Sequence, residues 1–424
     1  MNRYLVVPDR LWNGERAAAE AGLAVLVDGP RGLIEAILPI GDAPADLPRV
    51  DLPGCTLLPG LIDAHVHYSA VMGPAFLAAG VTTIRDVGND LDWILDQRTR
   101  HAADPTLGPT LVCCGFLHDG PTAYWRQMGR SHADADALRA SIRMHVERGV
   151  DQIKLYAGLD AGMVRAGVAE GHRLGKLVVA HLGSTQAEEA ARSGLNEIEH
   201  LDQCGVAWRA ATEAEDDDLI ALLRKNQVII DPTFVVWDRL GRILERSFHH
   251  DVRRQWVHPV HLEIWQRYLS RFGPPHRRWR FQAAMPHLKR FTARAHAQGV
   301  VTALGTDTPF PHLVPGFSVH DELAMYVDAG LSAVAALQAA TVVNARVLGI
   351  ADRVGQIRPG LIADLVAIQG NPLQTIDAIS NVYCTIHAGQ LFTPAALLPA
   401  VQRTFGQPPD DAITRDLLAY VNSQ

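Results

Sequence analysis

The sequence predicts an α/β fold, a (β/α)8 barrel with a small β-sandwich built from both chain ends, on three observations. Eight short β-branched runs alternate with helical stretches, several of those stretches end in glycine, and the two chain ends read as strands without helices. At 424 residues and 48% hydrophobic content the chain is too apolar to be disordered, and long enough for a barrel of about 250 residues plus a smaller unit.

The eight runs are 57–65, 81–87, 110–116, 152–156, 177–181, 197–201, 228–234 and 301–307. Gly80, Gly149, Gly175, Gly194 and Gly299 each follow a helical pattern and precede the next strand. Glycine just past a helix end adopts the left-handed conformation that satisfies the last carbonyls, so each is expected to turn a helix into a strand.

Residues 1–55 and 355–395 break the alternation. Tyr4 to Val7, Leu23 to Val27 and Leu33 to Ile40 read as strands at one end, and Leu361 to Ile368 and Val382 to Phe392 at the other. Neither piece could bury a core alone, so they are expected to pair into one sandwich beside a barrel of residues 56–354, with a helical tail over 396–424. Before the eighth run, residues 238–299 read as a helical insertion in which 13 Arg or Lys stand against four Asp or Glu, with Trp256, Trp265, Trp279 and seven histidines. Such a stretch is either a solvated basic face packed by its tryptophans or a lid that attracts an anionic substrate.

Lys plus Arg number 39 against 46 Asp plus Glu, and the net charge of -7 argues against nucleic acid or an anionic membrane as a general partner. The apolar run near Met1 stops after four residues, too short for a signal-peptide core, and no run approaches the 18 residues of a membrane span. Five cysteines, an odd number, do not make a disulfide framework. The expectation is a reduced, cytoplasmic protein acting on a small molecule.

Barrel active sites lie where strands end at the C-terminal face. His65 and His67 end the first run, two positions apart, so their rings project to one face and can share a cation. Chance alone yields on the order of one His-x-His at this histidine content, so the pair needs context. The context is Lys154 on the fourth run, His181 ending the fifth, His200 near the end of the sixth and Asp307 ending the eighth. Imidazole and carboxylate suit zinc and similar divalent ions without thiolate. An ammonium at Lys154 would be repelled by such ions. A neutral amine there can take up carbon dioxide and become an anionic carbamate that bridges two metals; the alternative is a lysine paired with an acid.

These residues carry a family resemblance. Leu58-Pro59-Gly60-Leu61-Ile62-Asp63-Ala64-His65-Val66-His67 resembles the opening motif of the metal-dependent amidohydrolase superfamily. Ile153-Lys154-Leu155-Tyr156, Val179-Ala180-His181, Ile198-Glu199-His200 and Gly305-Thr306-Asp307 follow in order, and Gly355 to Val366 resembles the family's return into its sandwich. Within the superfamily the chain is most similar to the imidazolonepropionase-like and prolidase-like branch. The resemblance implies a binuclear site: His65, His67 and Asp307 on one metal, His181 and His200 on the other, and carbamylated Lys154 between them. It further implies hydrolysis of an amide in an N-acyl amino acid, dipeptide or cyclic amide by a metal-bridging hydroxide, with Asp307 shuttling the proton. A homo-oligomer is the expectation for a member of this size. The chain departs from dipeptide-trimming members in lacking a long Gly- and Pro-bearing loop between Lys154 and His181.

Tyr156, His118 and Trp237 follow strand ends and are candidates to contact substrate. Competing readings are a lactone or ester hydrolase with the same site and a non-catalytic scaffold. A mononuclear deaminase fits poorly, because such members usually place a Glu where this chain has Leu182-Gly183-Ser184.

Overall fold

The computed structural model describes residues 2–201, 204, 213–407 and 409–423. The N-terminal strands are β1 (Arg3–Leu11), β2 (Leu23–Asp28), β3 (Leu33–Pro39) and β4 (Arg49–Pro59). The central strands are β5 (Leu61–Val66), β6 (Val81–Asp86), β7 (Thr110–Cys113), β8 (Leu117–Asp119), β9 (Gly129–Ser131), β10 (Ile153–Leu155), β11 (Val178–His181), β12 (Glu197–Glu199) and β13 (Ile229–Asp231). β14 (Leu365–Gln369), β15 (Val382–His387) and β16 (Gln390–Phe392) follow near the C-terminus.

Both chain ends meet in one seven-stranded sheet ordered β16-β15-β14-β4-β1-β2-β3, in which β1 and β4 run parallel and the other pairs antiparallel. The central strands form two parallel sheets, β5-β6-β7 and β13-β12-β11-β10-β8-β9. β5 and β6 are buried along their whole length, as parallel strands covered on both faces must be.

Three of the expected runs differ from the elements that form. The first divides at Gly60: Leu57 to Pro59 end β4, and Leu61 onward form β5. The third ends early, as β7 at Cys113; Gly115, with φ of 75°, leaves the extended region, and a separate strand β8 begins at Leu117. The eighth, 301–307, forms no strand: it makes one isolated parallel bridge, Thr302 to Ile230, and Thr308 just past it makes another to Val66. Its backbone nevertheless bonds to both neighbours, Ala303 N to Ile230 O at 2.9 Å and His67 N to Thr308 O at 2.8 Å. The five glycines expected to turn helices into strands all have positive φ, between 72° and 92°.

The basic insertion is helical, with segments Phe234–Gly241, Pro259–Phe272 and Pro275–Ala297. The tail forms helices Pro394–Arg403 and Ala412–Asn422. The second is docked: Asp416, buried, accepts from the backbone N–H groups of Arg126, Gln127 and Met128 at 2.9–3.1 Å. Among the described residues no helix is long and apolar enough to cross a membrane, and no disulfide links the cysteines.

Candidate metal centre

The strand ends converge. His65 and His67 come from β5, Lys154 from β10, His181 from β11, His200 from just past β12, and Asp307 from the run between β13 and β5. All six line one cavity of about 310 Å³. Ring centroids of His65 and His200, and of His200 and His181, lie 4.6 Å apart. His200 and Asp307 have φ of 64° and 63°, left-handed conformations uncommon for residues other than glycine, which turn the chain sharply where each side chain enters the site.

The donor atoms have the chemistry of a cation site. His67 Nδ1 lies 3.1 Å from Gly88 O; a carbonyl only accepts, so Nδ1 carries the proton and Nε2 keeps its lone pair. His67 Nε2 and His65 Nε2 lie 3.5 Å and 3.4 Å from Asp307 Oδ1, beyond ordinary hydrogen-bond length. Both ring nitrogens of His65 are buried without a hydrogen-bond partner. Burial, reinforced by the Lys154 charge, holds His65 and His200 well below the usual imidazole range and brings His181 to about 3; burial brings His67 to about 4. These contacts are therefore not ion pairs. Neutral imidazoles facing a carboxylate across a gap are what a divalent cation requires, and no thiolate takes part. His65, His67 and Asp307 form one group able to hold an ion, and His65, Glu199 and His200 form another.

Three buried acids had no assigned role in the sequence reading. Glu199 pairs with Lys154 through Oε2, and its Oε1 lies 3.4 Å from His65 Nδ1. Asp231 lies 3.9 Å from the same nitrogen and accepts from Gly305 N at 3.0 Å; burial pushes its carboxyl up to about 8. Asp63 accepts from Thr306 N and Oγ1 at 3.1 and 2.7 Å, which fixes the segment carrying Asp307. Burial, with Arg85 next in weight, lowers Lys154 to about 7 against the opposing charges of Asp307 and Glu197. Arg85 ties the strands together: its Nε donates to Ala64 O at 2.6 Å, and its Nη1 donates to Glu197 and Gln152, each at 2.9 Å.

Of the expected substrate contacts, Tyr156 and Trp237 line the cavity, and Trp125 Nε1 donates to the Tyr156 hydroxyl at 2.9 Å. His118 does not line it. The break at Gly115 places His118 in β8, fully buried, with its ring 4.4 Å from that of His145 and its Nδ1 3.5 Å from His132 Nε2. The remaining walls are mostly aromatic, with Val236, Leu240 and Arg280 among them: Trp125 before β9, Tyr268 and Phe272 from Pro259–Phe272, Phe281 from Pro275–Ala297, Phe310 after Asp307, and Tyr420 from the C-terminal helix. Nothing in the sequence separated these side chains from ordinary core.

Residues 56–392 match the family described as "Amidohydrolase family". Ochratoxinase of Aspergillus niger is 24% identical over 356 residues, which is 79% of this chain and 63% of that protein's length. Among solved structures, a putative prolidase from Bifidobacterium longum aligns with a TM-score of 0.74 at 23% identity, covering 95% of this chain and 99% of that one. A Xaa-Pro dipeptidase with bound methionine gives 0.73 at 22%, covering 92% and 100%. The A. niger ochratoxinase crystal structure gives 0.70 at 19%, covering 92% and 96%. At these identities the solved structures speak to the fold alone.

Proposed function

The chain belongs to the amidohydrolase family, and from that premise we propose that it hydrolyses an amide C–N bond using two divalent cations, zinc by donor preference. The observation that carries this reading is the convergence of His65, His67 and Asp307 with both His65 ring nitrogens buried and unsatisfied. His65, His67 and Asp307 would hold one cation and His181 and His200 the other, with Lys154, as its carbon dioxide adduct, between them. The similarity to ochratoxinase supports amide chemistry. We further propose that the two parallel sheets close into a barrel through residues 301–308, which bond to β13 on one side and β5 on the other.

Divalent cations held there would supply acidified water, with a pKa of about 7, and polarisation of the substrate carbonyl. The chain's own residues do the rest. The oxygen of water adds to the carbonyl carbon, the C–N bond breaks, and Asp307 carries the proton released by the water to the leaving nitrogen. Burial keeps the imidazoles neutral, so none competes for that proton. The aromatic walls exclude bulk water, which strengthens electrostatic interactions inside.

Metal per chain by plasma emission tests the site, on protein purified without a histidine tag. Two per chain are expected, with fewer in Lys154→Ala. Turnover of N-acyl amino acids, dipeptides and cyclic amides, with lactones for comparison, tests the chemistry. Metal-replete protein that cleaved lactones alone would overturn the amide assignment.

A further inference from the structure

Thr233 stands immediately before the helix Phe234–Gly241, the position from which a threonine hydroxyl ordinarily accepts from its own helix's N–H groups. Here it makes no such bond. The hydroxyl turns to the site instead, and Thr233 Oγ1 lies 2.7 Å from His200 Nδ1. The capping comes from another element. Glu322, fully buried on the helix Phe317–Ala329, accepts from Phe234 N at 2.8 Å and from Val235 N at 2.6 Å, one on each carboxylate oxygen. Val236 N donates to Thr233 O at 3.2 Å, which completes the first turn. Thr233 is itself fully buried with φ of 45°, a left-handed conformation that strains a β-branched side chain. A cap ceded to a distant carboxylate and a strained threonine converge on one contact, the hydroxyl against the His200 ring.

We propose that Thr233 is a positioning residue of the metal centre, its hydroxyl accepting from His200 Nδ1–H so that the Nε2 lone pair is held for a cation in the cavity. The proposal rests on the metal reading above and deepens it. A cation takes only a ring nitrogen that bears no proton, and an imidazole whose proton sits on Nδ1 has its lone pair on Nε2. At His67 the Gly88 carbonyl does the same work. The strand register brings the two side chains together, because His200 N donates to Asp231 O at 2.8 Å and sets the ends of β12 and β13 side by side.

Zinc affinity, measured by competition with a chromophoric chelator, is compared in the wild type, Thr233→Ser, Thr233→Val and Thr233→Gly. Serine keeps the hydroxyl, valine keeps the shape without it, and glycine removes it while accepting the left-handed backbone without strain. Thr233→Val and Thr233→Gly are expected to weaken zinc binding by about 10- to 100-fold, and Thr233→Ser to stay close to the wild type. The two hydroxyl-free variants load the backbone differently, so if one fails to fold the other decides. Proton NMR of the cobalt-loaded protein supplies a readout that a merely structural role would not move. Ring N–H protons of cobalt-bound histidines appear far downfield, and one of them should exchange with water severalfold faster in Thr233→Val but at the wild-type rate in Thr233→Ser. Unchanged zinc binding in the hydroxyl-free variants overturns the proposal, as does an equal loss in Thr233→Ser, which would make the contact one of packing. A wild type that binds no zinc overturns the metal reading and the proposal with it, whereas failure confined to the variants leaves that reading intact.

Discussion

Lys154 Nζ on β10 and Glu199 Oε2 on β12 meet across the intervening strand β11, both fully buried. Of the two states open to this lysine, the contact is the ammonium paired with an acid; the carbamate proposed for the loaded enzyme would set two anions side by side, which only nearby cations can stabilise. The sign of the coupling between the two residues therefore reports the state of Lys154. In chelator-treated protein, a double-mutant cycle of Lys154→Met and Glu199→Gln is expected to give a favourable coupling of about 1–3 kcal/mol by thermal melting, because either single change strands a buried charge. With zinc and bicarbonate supplied, the coupling should vanish or reverse. A coupling that stays favourable in loaded protein would leave Lys154 an ammonium and remove the carbamate.

Asp307 faces His65 and His67 from a left-handed backbone position. Asparagine tolerates that conformation and keeps one oxygen toward the cation, but it cannot carry a proton. Asp307→Asn is thus expected to retain most of its metal while kcat falls by about 10²- to 10⁴-fold. Metal analysis and steady-state kinetics on the same preparation decide the matter. Near-normal turnover with metal bound would take the proton shuttle away from Asp307.

The polar cavity-lining residues were legible because their chemistry is out of place in a strand. His65, His67, Lys154, His181, His200 and Asp307 are polar side chains in or at the ends of apolar runs, and all six line one cavity. Glu199 was within reach of the same logic, since it precedes His200 on the buried strand β12, but an acid beside one ligand does not reveal that it meets Lys154 two strands away. His118 was misplaced because Gly115 reads equally well inside a strand and at a break, and only the structure shows its φ of 75°. Tyr268, Phe272 and Tyr420 recur at helical spacing, the same signal that ordinary core gives. Tyr420 reaches the site through hydrogen bonds 288 to 290 residues apart in the chain, from Asp416 to residues 126–128, a separation at which sequence pattern carries no information.

That long-range attachment makes its own prediction. The Asp416 carboxylate satisfies three consecutive backbone N–H groups, and Ser69 Oγ donates to Asp411 at 2.5 Å near the start of the same helix. Asp416→Ala leaves those N–H groups buried or open to water, at a cost of about 1–3 kcal/mol. Because Tyr420 packs its ring 5.4 Å from those of both Trp125 and Tyr268, loosening the helix opens the aromatic wall. KM for aromatic amides should rise severalfold with a smaller change in kcat, accompanied by a red shift in tryptophan emission as Trp125 meets water. Unchanged KM in a folded Asp416→Ala protein would mean that the helix contributes stability but no substrate wall.

Acid stability follows from histidines outside the site. His320 Nε2 donates to Ala79 O at 2.8 Å, while Nδ1 is buried without a partner, and burial lowers the ring to about 4. A group whose folded pKa is depressed contributes stability that is complete above its unfolded value of about 6.5 and is lost as pH falls toward 4. For His320 the loss at pH 5 is about 2 kcal/mol, since the unfolded chain takes up the proton first. His145, also lowered to about 4 by burial, acts in the same direction. Glutamine at 320 can keep the donor to Ala79 and has no proton to gain, so His320→Gln should lose less Tm than the wild type between pH 7 and pH 5, in metal-loaded and chelator-treated protein alike. Parallel Tm profiles for the two proteins would show that His320 is protonated without penalty in the fold, and that acid sensitivity arises at the metal ligands instead.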